Sequence, residues 1–382
     1  MKVIKDITVL LIVLIIITLL TPFTFTCGAA EIKIRTSTGF HLDWWDSPNN
    51  EKGLQYYIPV KIEANYDELS MGILTGYAYT TRDLPGQDRR SISDILDTKL
   101  NLGYSITDLL PVDILVGLDF NLPTGRTDLK DKDLSLIMDP DLVAITSLGE
   151  GFNINPTISF AKQWNDWLFG IGFGYVFRGE YDYSKSMHDY DPGNIFSFVT
   201  QVHYIPSENW HFKLFTNFTT YGKDEIKGDS FYKEGDYFQV GAGCKYTRSF
   251  WDIEGTVEAI IRGKSKFKEK QRFKKENDNS HGDEWIGRVK GHYYLNPKTT
   301  ISSALAFLII TENDYPSNSM YYWGQRRKVS LDIGISRIFC PKLTGQINIS
   351  GFFMHDKETW YHPDSHQSYR GISLEFKFIG NF

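Results

Sequence analysis

Cysteine is scarce in this chain of 382 residues, and long apolar runs are confined to its first 30 residues. The three cysteines, Cys27, Cys244 and Cys340, are too few for a disulfide-rich scaffold, and we expect the last two to be free thiols. Beyond residue 30 no stretch is long and apolar enough for a membrane-spanning helix. The formal net charge of −6 gives no basic surface that would indicate a nucleic-acid partner.

The first 30 residues have the three parts of a secretory signal. Two lysines precede an unbroken apolar run, Val9–Leu20, and the small residues 28–30 follow. A basic, an apolar and a small-residue segment in this order are typical of a signal peptide that is cleaved during export. We therefore predict a signal peptide over 1–30, cleaved after Ala30, and a mature domain over 31–382. A retained membrane anchor or a lipid-modified cysteine is the alternative.

Aromatic residues are abundant, although the chain is polar on average. Tyr and Phe number 22 and 26, and the mean hydropathy is −0.30. Many of these rings gather near expected strand ends, among them Trp45, Trp167, Trp210 and Trp251. Amphipathic rings prefer the level of lipid headgroups, so this distribution predicts aromatic girdles at two membrane surfaces.

Apolar and polar residues alternate along many segments after residue 30, for example over 111–122, 251–262 and 328–336. Successive side chains of a strand point to opposite faces, so each segment predicts a strand with one apolar and one polar face. If such strands cross a membrane, they must form a closed barrel whose polar face lines the lumen. The charged residues that we place on that face are Asp113, Asp119, Asp252, Glu254, Glu258, Arg262, Lys328, Asp332, Glu375 and Lys377. With Lys99 added, acidic residues in this set outnumber basic ones, which predicts that an open pore would pass cations more readily than anions.

Short and long turns alternate between the predicted strands. Outer-membrane barrels have this arrangement, with short periplasmic turns and long outer loops. We therefore predict an all-β fold, a closed antiparallel transmembrane β-barrel of about 16 strands that begins near 32–42. If that first segment is not part of the wall, the even-number rule suggests about 14 strands.

The final segment, 369–382, is apolar on one face and charged on the other. The chain ends on Phe382, which lies on the apolar face. A closing strand that ends on Phe resembles the C-terminal signature of bacterial outer-membrane β-barrels. This resemblance implies that Phe382 is an assembly signal read by the barrel-assembly machinery, and that the protein lies in the outer membrane of a Gram-negative cell.

The longest predicted loop, 123–149, has a middle that is too apolar for free exposure. We expect it either to fold into the barrel as a constriction or to pack on the rim. Its apolar residues are Leu134, Leu136, Ile137, Met138, Leu142, Val143 and Ile145.

A basic run lies in another long loop. It could contact the phosphates of outer-leaflet lipopolysaccharide, although a solvated hairpin is the alternative interpretation. Its candidate contact residues are Lys264, Lys266, Lys268, Lys270 and Arg272.

Four short phrases carry a family resemblance: NLPTG at 121–125, LGEGF at 148–152, GYVFRG at 174–179 and DPGN at 191–194. They resemble recurring phrases of outer-membrane transporters linked to aromatic-degradation (meta-pathway) operons, a group distantly similar to long-chain fatty-acid channels. The resemblance implies passage of hydrophobic or aromatic compounds.

No catalytic signature or metal motif stands out, and we expect no enzyme activity, cofactor or bound metal. The sequence favours a channel or transporter through which small solutes diffuse passively. A structural or adhesive barrel with a closed lumen is the alternative. An enzyme acting on lipids or peptides is a third, and it would need a Ser, a His and an acid that converge on one rim.

Overall fold

A computed structural model describes residues 32–108, 110–270, 272–357 and 367–382. The predicted signal peptide lies outside the described residues. Within the described ranges, no helix has the length and apolar character needed to cross a membrane. Cys244 and Cys340 are free thiols, as predicted.

The described residues form strands and one short 3-10 helix, Asp131–Leu136. In chain order the strands are β1 (Lys33–Asp46), β2 (Lys52–Tyr66), β3 (Leu69–Asp83), β4 (Arg90–Ile95), β5 (Thr98–Ile106), β6 (Asp113–Leu122), β7 (Asn153–Trp164), β8 (Trp167–Arg178), β9 (Tyr190–Asp191), β10 (Ile195–Tyr204), β11 (Trp210–Tyr221), β12 (Asp224–Ile226), β13 (Asp229–Lys233), β14 (Tyr237–Thr247), β15 (Trp251–Arg262), β16 (Lys266–Glu269), β17 (Arg272–Lys275), β18 (Glu284–Asn296), β19 (Thr299–Ile310), β20 (Arg326–Cys340), β21 (Leu343–Asp356) and β22 (Gln367–Asn381).

Sixteen of these strands pair antiparallel with their neighbours and close into a ring. The ring closes where β1 pairs with β22, from Arg35 opposite Asn381 to Asp46 opposite Arg370. Ile34 and Phe382 add two backbone hydrogen bonds, of 2.9 and 2.8 Å, at the end of this ladder. A closed ring leaves no edge with unpaired backbone groups. The prediction of a closed barrel with 16 strands, the first of them near 32–42, is confirmed.

The other strands belong to the long-loop rim. β4 pairs with the outer end of β3 and lies outside the ring. β9, β12, β13, β16 and β17 form a separate five-stranded sheet, which we call the outer sheet. Its strands come from three long loops, those that follow β8, β11 and β15. These loops are therefore ordered by pairing with one another.

The outward face of the ring is apolar along the strands and aromatic at the short-turn rim. On β20, Leu331 and Ile333 are 52 % and 56 % exposed, while Asp332 between them points to the other face. At the rim, aromatic rings on neighbouring strands contact one another. Their centroids are 4.4 Å apart for Trp167 and Tyr204, 4.6 Å for Trp210 and Tyr246, and 5.5 Å for Tyr246 and Trp251. This belt fits the girdle expected at one membrane surface.

The two faces of β20 should tolerate an added charge to different extents. An Arg at a lipid-facing site near the bilayer midplane costs about 2–4 kcal/mol. We expect Leu331→Arg to lower the free energy of unfolding in lipid vesicles by about this amount, and Asp332→Arg, its matched control, to change it much less. A denaturant titration of both variants checks this. The reverse order would mean that the face assignment is inverted.

Candidate functional site

The connection between β6 and β7, residues 123–152, lies against the inner face of the barrel wall, and we call it the inner loop. The Ala144 backbone N–H donates to Asp43 Oδ2 of β1 at 2.9 Å. The Ile145 N–H donates to Gln55 Oε1 of β2 at 2.7 Å, and Gln55 Nε2 donates to the Ile145 carbonyl at 2.8 Å. Asp43 and Gln55 lie on the face opposite the exposed apolar residues, so the loop lies on the lumen side.

The apolar residues of the inner loop are buried against that wall in two clusters. Met138, Leu142 and Val143 pack with Trp45, Phe352 and Met354. Leu129, Leu136 and Leu148 pack with Ala78 and Ile92, and Leu134, Ile137 and Ile145 cover this second cluster. Each fully buried aliphatic side chain contributes about 1.5–3 kcal/mol. The apolar middle of the loop is therefore covered, as its composition requires. Trp45, which we expected in a girdle, lies on the inner face instead.

Arg326 of β20 pins the tip of the inner loop. Its Nη1 lies 2.7 Å from Asp139 Oδ2 and 2.8 Å from Asp141 Oδ2, both in the loop. Its Nε and Nη2 donate to the two carboxylate oxygens of Asp356 on β21, at 2.7 and 2.9 Å. Lys328 donates to the Asp141 carbonyl at 2.5 Å. The loop thus leaves the wall at β6 and is held at β20, on the far side of β5, β3, β2, β1, β22 and β21.

Asp97, between β4 and β5, fixes both ends of the inner loop. Its carboxylate accepts hydrogen bonds from the backbone N–H groups of Gly125 and Glu150, at 2.8 and 2.7 Å, and from Asn121 Nδ2 at 2.6 Å. A Cβ on Gly125 would lie 1.9 Å from the Leu148 carbonyl oxygen, so the two ends approach too closely for any other residue. The phrases at 121–125 and 148–152 therefore have a structural role as the two ends of this loop.

A cavity of about 300 Å³ lies between the inner loop and the wall. Tyr57, Pro59, Leu74 and Leu96 give it apolar surface, while Lys99 is its basic group and Asp97 and Glu150 are its acidic groups. The loop side is formed by residues 144–150, and Thr75, Asp97 and Asn121 complete the lining. We call this cavity the niche. It combines apolar surface with polar groups that can orient a small molecule.

The charged residues that we predicted for the lumen are placed on the face opposite the apolar one. Most have a partner on a neighbouring strand: Glu254 with Lys213 at 2.8 Å, Asp252 with His292 at 2.8 Å, Arg262 with Glu284 at 3.1 Å, Glu258 with Gln239 at 2.7 Å, Asp119 with Asn101 at 2.7 Å, and Glu375 with Asn348 at 2.8 Å. In the strand register Asp113 lies opposite Ala161, Asp332 opposite Ser350, and Lys377 opposite Gln346.

The strand register also adds basic residues that the sequence analysis did not place. Lys245 lies opposite Glu254, which in turn lies opposite Lys290. Arg288 lies opposite Thr256, and Lys61 faces the lumen from β2. The same face also gains acidic residues, namely Asp43, Glu63 and Glu284, so the preference for cations stays a prediction.

The sequence matches a family described as "Putative MetA-pathway of phenol degradation" over residues 67–277, which is more than half of the chain. The chain belongs to this family. The match spans the inner loop, the niche residues Leu74 and Lys99, and the outer sheet. Together with the closed ring and its apolar outward face, it makes the protein an outer-membrane barrel of the channel or transporter type.

Solved structures of several outer-membrane proteins are similar to the chain. The anion-selective porin from Comamonas acidovorans is 11 % identical, with a TM-score of 0.41, over 92 % of this chain and 100 % of that one. OccK7 (OpdD) of Pseudomonas aeruginosa is 10 % identical, with a TM-score of 0.45, over 92 % and 99 %. OmpT of Vibrio cholerae is 9 % identical, with a TM-score of 0.44, over 94 % and 100 %. No curated protein matches the chain.

The middle of the wall formed by β7 and β8 carries small, uncharged side chains on its lumen face. Gly170, Gly172 and Gly174 lie beside Thr157 and Ser159 on a surface with a cavity of about 490 Å³. In the ring this wall lies across from β20, β21 and β22, against which the inner loop packs.

Loss of Arg326 should release the inner loop. Arg326→Gln removes the charged hydrogen bonds to the loop carboxylates, each worth about 1.5–3 kcal/mol. We expect trypsin to cut the folded, detergent-solubilised barrel at Lys130 or Lys132 much faster than it cuts the parent protein. Arg327→Gln, on the outward face of the same strand, is the matched control and should leave the cleavage rate unchanged. Equal protection in both variants would show that Arg326 does not hold the loop.

Proposed function

We propose that the protein is a passive outer-membrane channel for small solutes, with aromatic compounds as preferred cargo. The observation that carries this proposal is the inner loop, which enters the lumen and is pinned to the wall far from its own strands. A pinned loop narrows a lumen at a fixed place and so sets the size and charge of what passes. Passage down a concentration gradient needs no chemical step.

The niche supports the aromatic preference. Its volume of about 300 Å³ suits a single ring with one or two substituents. Tyr57 and Leu74 offer apolar surface to the ring, and Lys99 offers a cation to a phenolate or carboxylate. The family description refers to phenol degradation, which agrees with cargo of this class.

The enzyme alternative has weaker support. Ser265 Oγ lies 3.5 Å from His281 Nε2, but Ser265 is fully buried and also contacts the Tyr232 hydroxyl at 3.1 Å. Asp252 orients His292 at 2.8 Å, yet among the described residues no serine hydroxyl is hydrogen-bonded to that imidazole. Neither set presents an accessible nucleophile beside its base.

The route by which the protein reaches the outer membrane is part of the same proposal. We propose that the signal peptide over residues 1–30 is removed after Ala30, and that Phe382 directs insertion through the barrel-assembly machinery. N-terminal sequencing of the protein from outer membranes should begin at Glu31. A start at Met1 would contradict cleavage.

Single-channel recording in planar bilayers tests the channel directly. Replacing residues 134–145 with a short Gly-Ser linker should raise conductance, because the segment narrows the lumen. Shortening the outer loop at 315–321 is the control and should change conductance little. If neither the parent nor the deletion conducts, the closed structural barrel is the better interpretation. If the parent conducts and the deletion changes nothing, the constriction lies elsewhere.

Benzoate tests the niche. We expect benzoate to reduce ion current through the parent channel, because a ring in the niche narrows the path. Lys99→Gln removes a charged hydrogen-bond donor worth about 1.5–3 kcal/mol, so the half-blocking concentration should rise about tenfold or more. Lys377→Gln, a lumen lysine on β22 away from the niche, is the control. The same half-blocking concentration for the parent and both variants would show that Lys99 does not bind benzoate.

A further inference from the structure

Three lysines form a row across the outer sheet. Lys233 of β13 lies directly opposite Lys266 of β16, and Lys266 lies directly opposite Lys275 of β17. Directly opposed residues of antiparallel strands point to the same face, with Cβ atoms about 4.5–5.5 Å apart. The three ammonium groups therefore share one face of the sheet. We call this set the lysine row.

The lysine row has no acidic partner among the residues that the structure describes. Other cations of the same hairpin do have one, since Lys268 pairs with Asp229, and Lys274 lies 3.4 Å from Glu269. Like charges directly opposed across strands destabilise a sheet. An arrangement that concentrates unpaired charge in this way is stabilised by a bound anion.

The lysine row points away from the lumen. Tyr232, which precedes Lys233 in β13, lies opposite Asp224. Asp224 accepts a hydrogen bond from the Tyr190 hydroxyl, and the Tyr190 ring contacts Tyr181, which lies beside the inner loop. Adjacent residues within a strand point to opposite faces, so Lys233 points away from the inner loop and the lumen. On the same face as the row, Lys223 Nζ lies 4.6 Å from the centroid of the Phe273 ring and adds a further positive charge.

We propose that the lysine row binds the phosphate groups of lipopolysaccharide around the barrel. The row is part of a sheet that rises from the long-loop rim, and it faces the side on which outer-leaflet lipid lies. A lysine ammonium binds phosphate as a compact point charge with three donors. This site replaces the linear run that the sequence suggested, because Arg272 lies opposite Glu269 on the other face and Lys268 is already paired.

The test uses the full, purified barrel in detergent, with lipopolysaccharide as the probe and native mass spectrometry or thermophoresis as the readout. The variant replaces Lys233, Lys266 and Lys275 with Gln. We expect its affinity to fall about tenfold or more, since each basic residue near an anionic lipid surface contributes about 1 kcal/mol. The control replaces Arg272 and Lys274, on the opposite face, with Gln and should bind as the parent does. Lys266→Gln alone serves if the triple variant does not fold.

Two further probes identify the source of the anion. Lipopolysaccharide from which the phosphates have been removed should bind the parent as weakly as intact lipopolysaccharide binds the triple variant. Inorganic phosphate should compete only at millimolar concentration. Equal binding by parent and triple variant, or by intact and dephosphorylated lipid, overturns the proposal. Displacement of the lipid by micromolar inorganic phosphate also overturns it, because the site would then take free phosphate.

Discussion

The ladder between β1 and β22 is the constraint on which the rest of the structure depends. In a bilayer every backbone N–H and C=O needs a partner within the protein, and only a ring without edges provides one for each strand. Once the ring is closed, the alternation of side chains divides every strand into a lipid side and a lumen side. The exposed leucines and isoleucines, the rim aromatics and the inward charges all follow from that division. The ring also provides an enclosed inner face, without which the apolar inner loop would have no surface to cover it.

The lumen combines two means of stabilisation that act at different places. Charged side chains on the wall are mostly paired across neighbouring strands, as Glu254 is with Lys213. The inner loop is held by apolar burial along its length, by Arg326 at its tip and by Asp97 at its ends. The contacts at the tip and ends fix the position of the loop, while burial supplies much of its stability. The niche with Lys99 therefore lies between the wall and a loop that is held at its tip and at both ends.

The sequence was sufficient for the parts of the fold that depend on local pattern. Alternation and turn length predicted the strands of the wall and their number, and the scarcity of cysteine predicted the free thiols. The apolar character of 134–145 required burial, but it could not decide between lumen and rim. Arg326 was missed because its loop partners, Asp139 and Asp141, are about 185 residues away in the chain and no local signal connects them. Trp45 was misplaced because a ring near a strand end can point to either face. The cation preference of the lumen and the lipopolysaccharide contact of the basic run stay predictions, because the charges that share a face are set by the register of neighbouring strands and not by local pattern.

The position of Arg326 also has a consequence for the order of events during folding. The inner loop belongs to the early part of the chain, between β6 and β7, but its anchor is on β20. Contacts between residues so far apart form only after the intervening chain has been ordered. The tip of the loop therefore cannot be fastened until the late strands have joined the wall. Until then the loop lacks the contacts of Arg326 and Lys328, so its position inside the barrel is fixed only late in assembly.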